Sequence, residues 1–192
     1  LSKKFEGVFT YNSNLQYFDA LVGYFRASGY FRIRSFLDHI PQIRILVGIN
    51  VDKLIADTQN AGLAFFKNDE KTKDEFLSDI EEDIKNANYD KETENGILQF
   101  IEDLIEKKIE IKAHPEKKIH AKVYVLRPEP FNEHTKGWVI TGSSNLTDSG
   151  LGFTNQYEFN VLLDTYDDVK FATDEFEKLW AEAIDILPVD MQ

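Results

Sequence analysis

The chain predicts an α/β fold in which a mixed β-sheet is flanked by helices on both faces. Three observations carry that expectation. Short runs rich in β-branched residues recur between turn signals, as in Ile43-Arg44-Ile45-Leu46-Val47 before Gly48, and such runs favour strands. Between them lie stretches whose apolar residues recur at spacings of three and four, the signature of amphipathic helices. Finally, 192 residues suit one domain with a substantial core, and neither a low-complexity linker nor an internal repeat divides residues 1–192.

Taken in order, residues 15–25 read as a strand or a short helix entering one, followed by a helix through about residue 40. A strand over 43–49 precedes an expected helix over 51–66. Phe76, Leu77, Ile80, Ile84 and Ala87 mark an amphipathic helix, as do Ile97, Leu98, Ile101, Leu104 and Ile105. Residues 69–107 therefore read as a helical insertion between sheet strands. Further strands are expected at 109–113, 119–126, 138–141 and 157–163. A closing helix carries Val169, Ala172, Phe176, Leu179, Trp180 and Ala183. This order implies a sheet covered on both sides.

Composition narrows the function classes. There is no cysteine, hence no disulfide framework and no thiolate metal site. No apolar run approaches membrane-spanning length, and the amino terminus lacks a signal-peptide pattern, so a cytoplasmic location without membrane association is expected. The first residue is Leu1 rather than Met, which suggests part of a longer protein. A formal net charge of -12 argues against bulk attraction to nucleic acid or anionic lipid. The acids concentrate in 69–90 and 164–182, where helical periodicity makes them solvated faces. By contrast Lys107, Lys108, Lys112, Lys117, Lys118 and Lys122 share one stretch whose acids are Glu110 and Glu116. That basic segment leads toward the residues of greatest chemical interest, where it would favour a phosphate.

Those residues are His120-Ala-Lys122, then Gly142-Ser143-Ser144-Asn145, then Glu158 within Tyr157-Glu158-Phe159-Asn160-Val161. In a strand alternate side chains share a face, so His120 projects with Lys122, and Glu158 with Asn160. Phosphodiester chemistry needs such a set: a nucleophile or base, a cation for phosphate oxygens, hydrogen-bond donors, and a group orienting an imidazole. Each element has a plainer reading. A lone His-x-Lys is usually an exposed strand pair, and His134-Thr-Lys136 repeats the spacing in a turn-rich stretch read as solvated loop. Ser143, Ser144 and Asn145 are residue types that cap helices and form turns. Exposed amides at such a turn also suit an anion. Glu158 would serve as an edge charge, although its apolar neighbours argue for a sheet interior, where a carboxylate needs a partner. The combination of all three segments favours the chemical reading.

The pattern resembles the phospholipase D superfamily, whose sites use His-x-Lys followed by Gly-Ser-x-Asn or Gly-Ser-x-x-Asn. The likeness is good over 119–163. A looser one, Phe18-Asp19-Ala20-Leu21-Val22-Gly23-Tyr24-Phe25-Arg26-Ala27-Ser28-Gly29, resembles the opening of phospholipase D-like domains in bacterial helicase-associated nucleases. Many members carry Asp five positions after the lysine, where this chain has Arg127. Tyrosyl-DNA phosphodiesterases and some metal-independent restriction endonucleases also lack that Asp, so the departure weakens a lipase reading more than a nuclease one. The resemblance implies a metal- and cofactor-free phosphodiesterase acting on nucleic acid, DNA favoured. His120 would be the nucleophile, giving a phosphohistidine. Lys122 and Asn145 would hold phosphate oxygens, Glu158 would orient an imidazole, and Ser143, Ser144, Lys117 and Lys118 would bind substrate. It further implies a homodimer and a helicase or ATPase region beyond Gln192. The alternative is a non-catalytic nucleic-acid or partner-docking module that keeps the phosphate pocket.

Overall fold

The computed structural model describes residues 1–48, 78, 81–82, 85, 91–114 and 119–185. The chain opens with helix α1 (Ser2–Tyr11) and strand β1 (Tyr17–Val22). Helix α2 (Ala27–Ile33) runs into a 3₁₀ turn (Arg34–Leu37) and then β2 (Gln42–Val47). Helix α3 (Lys91–Ile105) leads into β3 (Ile109–Ala113), β4 (Lys122–Arg127) and β5 (Trp138–Gly142). A single turn of helix, α4 (Asp148–Leu151), precedes β6 (Asn160–Leu163), α5 (Tyr166–Glu182) and β7 (Ile184–Asp185). The strands form one seven-stranded sheet in the order β6-β5-β4-β1-β2-β3-β7. β1, β2 and β3 pair in parallel, and the remaining pairs are antiparallel. The mixed sheet expected from the sequence is therefore present.

Its two faces are covered differently. On one, Phe18, Ala20, Tyr124, Leu126 and Ile140 pack against Phe5 and Phe9 of α1, Tyr30 and Ile33 of α2, and Phe100 and Leu104 of α3. Phe5 lies edge-on to Tyr124 with ring centres 5.2 Å apart, an arrangement suited to aromatic quadrupoles. On the other face, among the described residues, α5 provides the cover: Phe176 meets Leu21 and Leu46, and Val169 meets Val125 and Val139.

The α5 face also buries charge. Arg44 grips Asp19 with two parallel hydrogen bonds of 2.7 and 2.8 Å, and its guanidinium reaches Glu177 of α5 at 2.7 Å. Arg127 joins Glu177 at 3.2 Å and lies over the Tyr17 ring at 3.9 Å. Burial pushes the Asp19 carboxyl up, against the pull of the two guanidiniums. Burial acts the same way on Glu177, but there Arg44 and Arg127 outweigh it and hold the carboxyl below its ordinary value. Ion pairing thus fastens the helix to the sheet.

Several expectations change. The opening helix α1 was not anticipated, although Phe5, Val8 and Phe9 have helical spacing and all are buried. In α3 the expected stripe is turned. Phe100, Asp103 and Leu104 are buried, whereas Leu98, Ile101 and Ile105 are exposed. The cause is polar: Asp103 accepts from Tyr30 at 2.6 Å and from Arg34 at 2.5 and 2.9 Å, so it faces inward where its apolar neighbours were expected. α3 does lie between β2 and β3. The helices expected over 51–66 and around Phe76 to Ala87 fall outside, or almost wholly outside, the described residues.

Candidate active site

The carboxyl ends of β1, β2, β3 and β5 and the amino ends of β4 and β6 meet at one end of the sheet, as the pairings Val22↔Lys122 and Gly142↔Asn160 require. In α/β sheets that end, where chain loops converge, is where ligands bind.

His120 arrives there just before β4, not inside a strand. β4 begins at Lys122, because the chain at Ile119 and His120 crosses the ends of β1 and β2 instead of pairing with them. Two glycines permit the crossing. A Cβ on Gly48 would lie 2.3 Å from the Ile119 carbonyl oxygen, and one on Gly23 would lie 3.1 Å from that oxygen and 3.4 Å from His120 Cα. The Gly23 amide donates to the Ala121 carbonyl at 3.0 Å, which fixes the approach. His120 is exposed, and the Lys122 ammonium curls back to donate to the His120 carbonyl at 2.8 Å. The lysine charge therefore sits beside the histidine backbone.

The next residue in β1's exit loop ties in the second motif. The Tyr24 amide donates to Asn145 Oδ1 at 3.1 Å. With its oxygen occupied, the Asn145 amide keeps its NH₂ group as the donor it presents. Gly23 and Tyr24 thus link the His120–Lys122 loop to the 143–145 turn.

The third segment closes the site. Ser143 Oγ donates to Glu158 and accepts from the Phe159 amide at 3.0 Å. Ser144 is fully buried. Its hydroxyl accepts from Asn160 Nδ2 at 2.8 Å and reaches Glu158 at 3.5 Å, while its carbonyl accepts from Tyr124 at 2.8 Å. Burial, helped by the Glu158 charge, raises the Tyr124 hydroxyl well above its ordinary value, so it stays a donor. A Cβ on Gly142 would fall 2.0 Å from the Phe159 carbonyl oxygen. The close approach of β5 and β6 therefore requires glycine there.

Ser143, Asn145 and Glu158 line one cavity of about 430 Å³ together with Tyr24, Arg26 and Ser28. His120, Lys122 and Ser144 are not among its described lining residues; the buried Ser144 hydroxyl instead accepts from Asn160 and reaches Glu158. Glu158 lies ahead of β6, half-buried, and not in a sheet interior: β6 is the sheet's edge, with Tyr157 86% and Phe159 62% exposed. Among the described residues no hydrogen bond joins Glu158 to His120; its partners are the two serines. Thr147, not Ser143 or Asn145, caps α4, accepting from the Gly150 amide at 3.1 Å.

The described lysines of the basic stretch do not gather at the site, Lys122 apart. Lys108 donates to the Asp38 carbonyl at 3.0 Å before the start of β3, a strand's length from the site, and Lys112 lies over Trp180 on the α5 face. Lys117 and Lys118 fall outside the described residues. Among the described residues the cation that lines the cavity is Arg26; it, Tyr24 and Ser28 lie in the Phe18–Gly29 likeness, which gives them no role. The available signal was the Gly-Tyr-Phe-Arg run directly after a strand, at the carboxyl end where sites form. Arg127, where many superfamily members carry Asp, sits at the far end of β4 within the buried ion cluster. The second His-x-Lys pair is apart as well: His134 is exposed in a loop and Lys136 pairs with Asp164 at 3.1 Å.

Among the described residues no helix is long and apolar enough to cross a membrane. A comparison with curated proteins finds no match. Residues 41–180, well over half of the chain, match the family described as cardiolipin synthase, PLD-like domain. That match spans both motifs and Glu158, and the family's chemistry is phosphodiester-related. The chain belongs to the phospholipase D-like superfamily.

Proposed function

We propose that this domain is a metal-independent phosphodiesterase that cleaves nucleic acid, DNA in preference, through a covalent phosphohistidine. The observation that carries the reading is the convergence at Gly23-Tyr24. One residue abuts His120, and the amide of the next holds Asn145 Oδ1. In the first step an imidazole nitrogen of His120 bonds to phosphorus as the bond to the leaving oxygen breaks, and that oxygen takes a proton from a second imidazole. Water then attacks phosphorus with loss of a proton to the second imidazole, the P–N bond breaks, and His120 is restored. Lys122 and Asn145 neutralise the developing charge on the non-bridging oxygens. Ser143 and Glu158 form a bonded pair that braces the turn, and the Glu158 carboxylate orients an imidazole.

The second imidazole comes from a second copy of the chain, through a two-fold interface that brings both His120 side chains to one phosphate. In its native setting the domain is part of a longer, helicase-bearing protein. There tethering supplies effective concentration that an acidic domain lacks.

The test is cleavage of an oligodeoxynucleotide in excess EDTA by the wild type and His120→Ala, with circular dichroism to verify folding. Activity in EDTA that the substitution abolishes supports the reading. Strict dependence on added divalent metal refutes the mechanism, equal activity of the variant refutes the nucleophile, and a monomer by light scattering under assay conditions refutes the shared site. A second reading, a docking module without turnover, draws on the His120 imidazole, which no hydrogen bond fixes among the described residues. Oligonucleotide binding that needs Lys122 but leads to no cleavage would establish it.

A further inference from the structure

Resting on the nucleic-acid reading above, we propose that Tyr24 is the base-stacking platform of this site. A substrate nucleotide adjoining the scissile phosphate would lay its base on the Tyr24 ring.

The cavity's lining carries the argument. Among its described lining residues Tyr24 is the one ring, and no aliphatic side chain is present; the others, apart from Gly150, offer hydroxyl, amide, guanidinium or carboxylate groups. The described part of this wall offers an acyl chain little area to bury against, because apolar transfer needs apolar area. It suits a polar ligand with one flat face. Tyr24 is 38% exposed at the cavity, and the Arg26 guanidinium sits over its ring at 5.3 Å. An aromatic ring backed by a cation is what sequence-tolerant binders of single strands use.

Position strengthens the case. The Tyr24 amide is also the group that holds Asn145 Oδ1, so a base on the ring is one residue's width from a phosphate on the Asn145 amide. Arg26 is anchored by its own backbone: its amide donates to the Leu146 carbonyl at 3.1 Å, immediately after Asn145. The backbone that carries the ring is therefore tied at two points to the turn that carries the Asn145 amide. A nucleobase has a flat face to lay on the ring; a glycerol headgroup has none.

The experiment compares wild type, Tyr24→Leu and Tyr24→Trp in the His120→Ala background by fluorescence anisotropy. The probes are a labelled single-stranded oligothymidylate, the same backbone made entirely of abasic residues, and phosphatidylglycerol vesicles. The leucine variant is expected to bind oligothymidylate about tenfold more weakly, the scale of one base–aromatic stack. The tryptophan variant should bind as well as wild type or better, and the abasic strand should bind all three proteins equally. Equal loss on both strands, or no loss, overturns the platform. Vesicle binding in preference to both strands overturns it in favour of a lipid headgroup. Inorganic vanadate serves as a separate probe of the phosphate pocket. If it binds and is lost on Asn145→Ala while no strand binds, the base platform is wrong and the phosphate chemistry stands. If vanadate fails as well, the site assignment itself is wrong.

Discussion

Two charged clusters of this sheet differ in what surrounds them. The Asp19–Arg44–Arg127–Glu177 cluster lies under α5, with Asp19 fully buried and both guanidiniums stacked on rings. The His120–Lys122–Asn145–Glu158 set lies at the open end, where His120 and Asn145 still offer groups outward. The first cluster is closed: almost every charge has a fixed partner, and its net effect is to orient a helix. The second is held largely by backbone and glycine contacts, which leave the His120 ring and the Asn145 NH₂ group to face outward. Charge that holds structure is satisfied internally, and charge meant for chemistry is supported from behind.

The largest expected effect lies in the closed cluster. Asp19→Asn leaves two buried guanidiniums short of their counter-charge and should cost about 3–5 kcal/mol, read from the urea midpoint. If the protein keeps its stability, the cluster is not what holds α5. At the open end, Lys122→Ala and Asn145→Ala should leave that midpoint nearly unchanged but raise the barrier by about 2.7–4 kcal/mol each, if each is a preorganised donor. Matched losses of stability and activity would erase the distinction between the two clusters.

Acid gives a finer contrast. Glu177 is held below its ordinary value, chiefly by Arg44 once the opposing effect of burial is overcome. Its contribution is thus present above the unfolded value of about 4.3 and lost as pH falls through the folded one. Wild type should lose melting temperature below about pH 4 more steeply than Glu177→Gln; parallel curves would remove Glu177 from the account. The smallest effect belongs to His134→Ala, expected to be silent in both activity and stability. A large loss of cleavage there would mean that the wrong His-x-Lys pair had been chosen.

How legible each part was in the sequence follows from the same contrast. Strands β1, β2, β3 and β5 and helix α5 were readable because period and burial coincide in them. α3 was readable as a helix but not in its facing, since hydropathy ranks Ile101 above Asp103, whereas two long-range donors, Tyr30 and Arg34, turn the acid inward. The start of β4 was misplaced because strand propensity at Ile119 and Ala121 does not reveal that the chain is crossing Gly23 and Gly48. His120, Lys122, Asn145 and Glu158 were singled out by their motifs, whereas Tyr24 and Arg26 lie in the looser Phe18–Gly29 likeness, which gives them no role. Their relevance comes from a contact to Asn145, far along the chain. Glu158 was expected in an interior because Tyr157 and Phe159 are apolar, yet both are exposed at the edge.

The hydrogen bond from Tyr24 to Asn145 spans 121 residues, and it sets an order of events. Closing so long a loop carries an entropic cost, and the acceptor lies far downstream of the donor in the chain. The parallel strands β1, β2 and β3 use residues up to Ala113, so during synthesis they are made before His120 or Asn145 exists. Only when β4 inserts beside β1 and β5 follows does the Tyr24 amide meet its acceptor. This end of the molecule therefore cannot form until β4 and β5 have joined β1, and the bond from Tyr24 to Asn145 reports that they have.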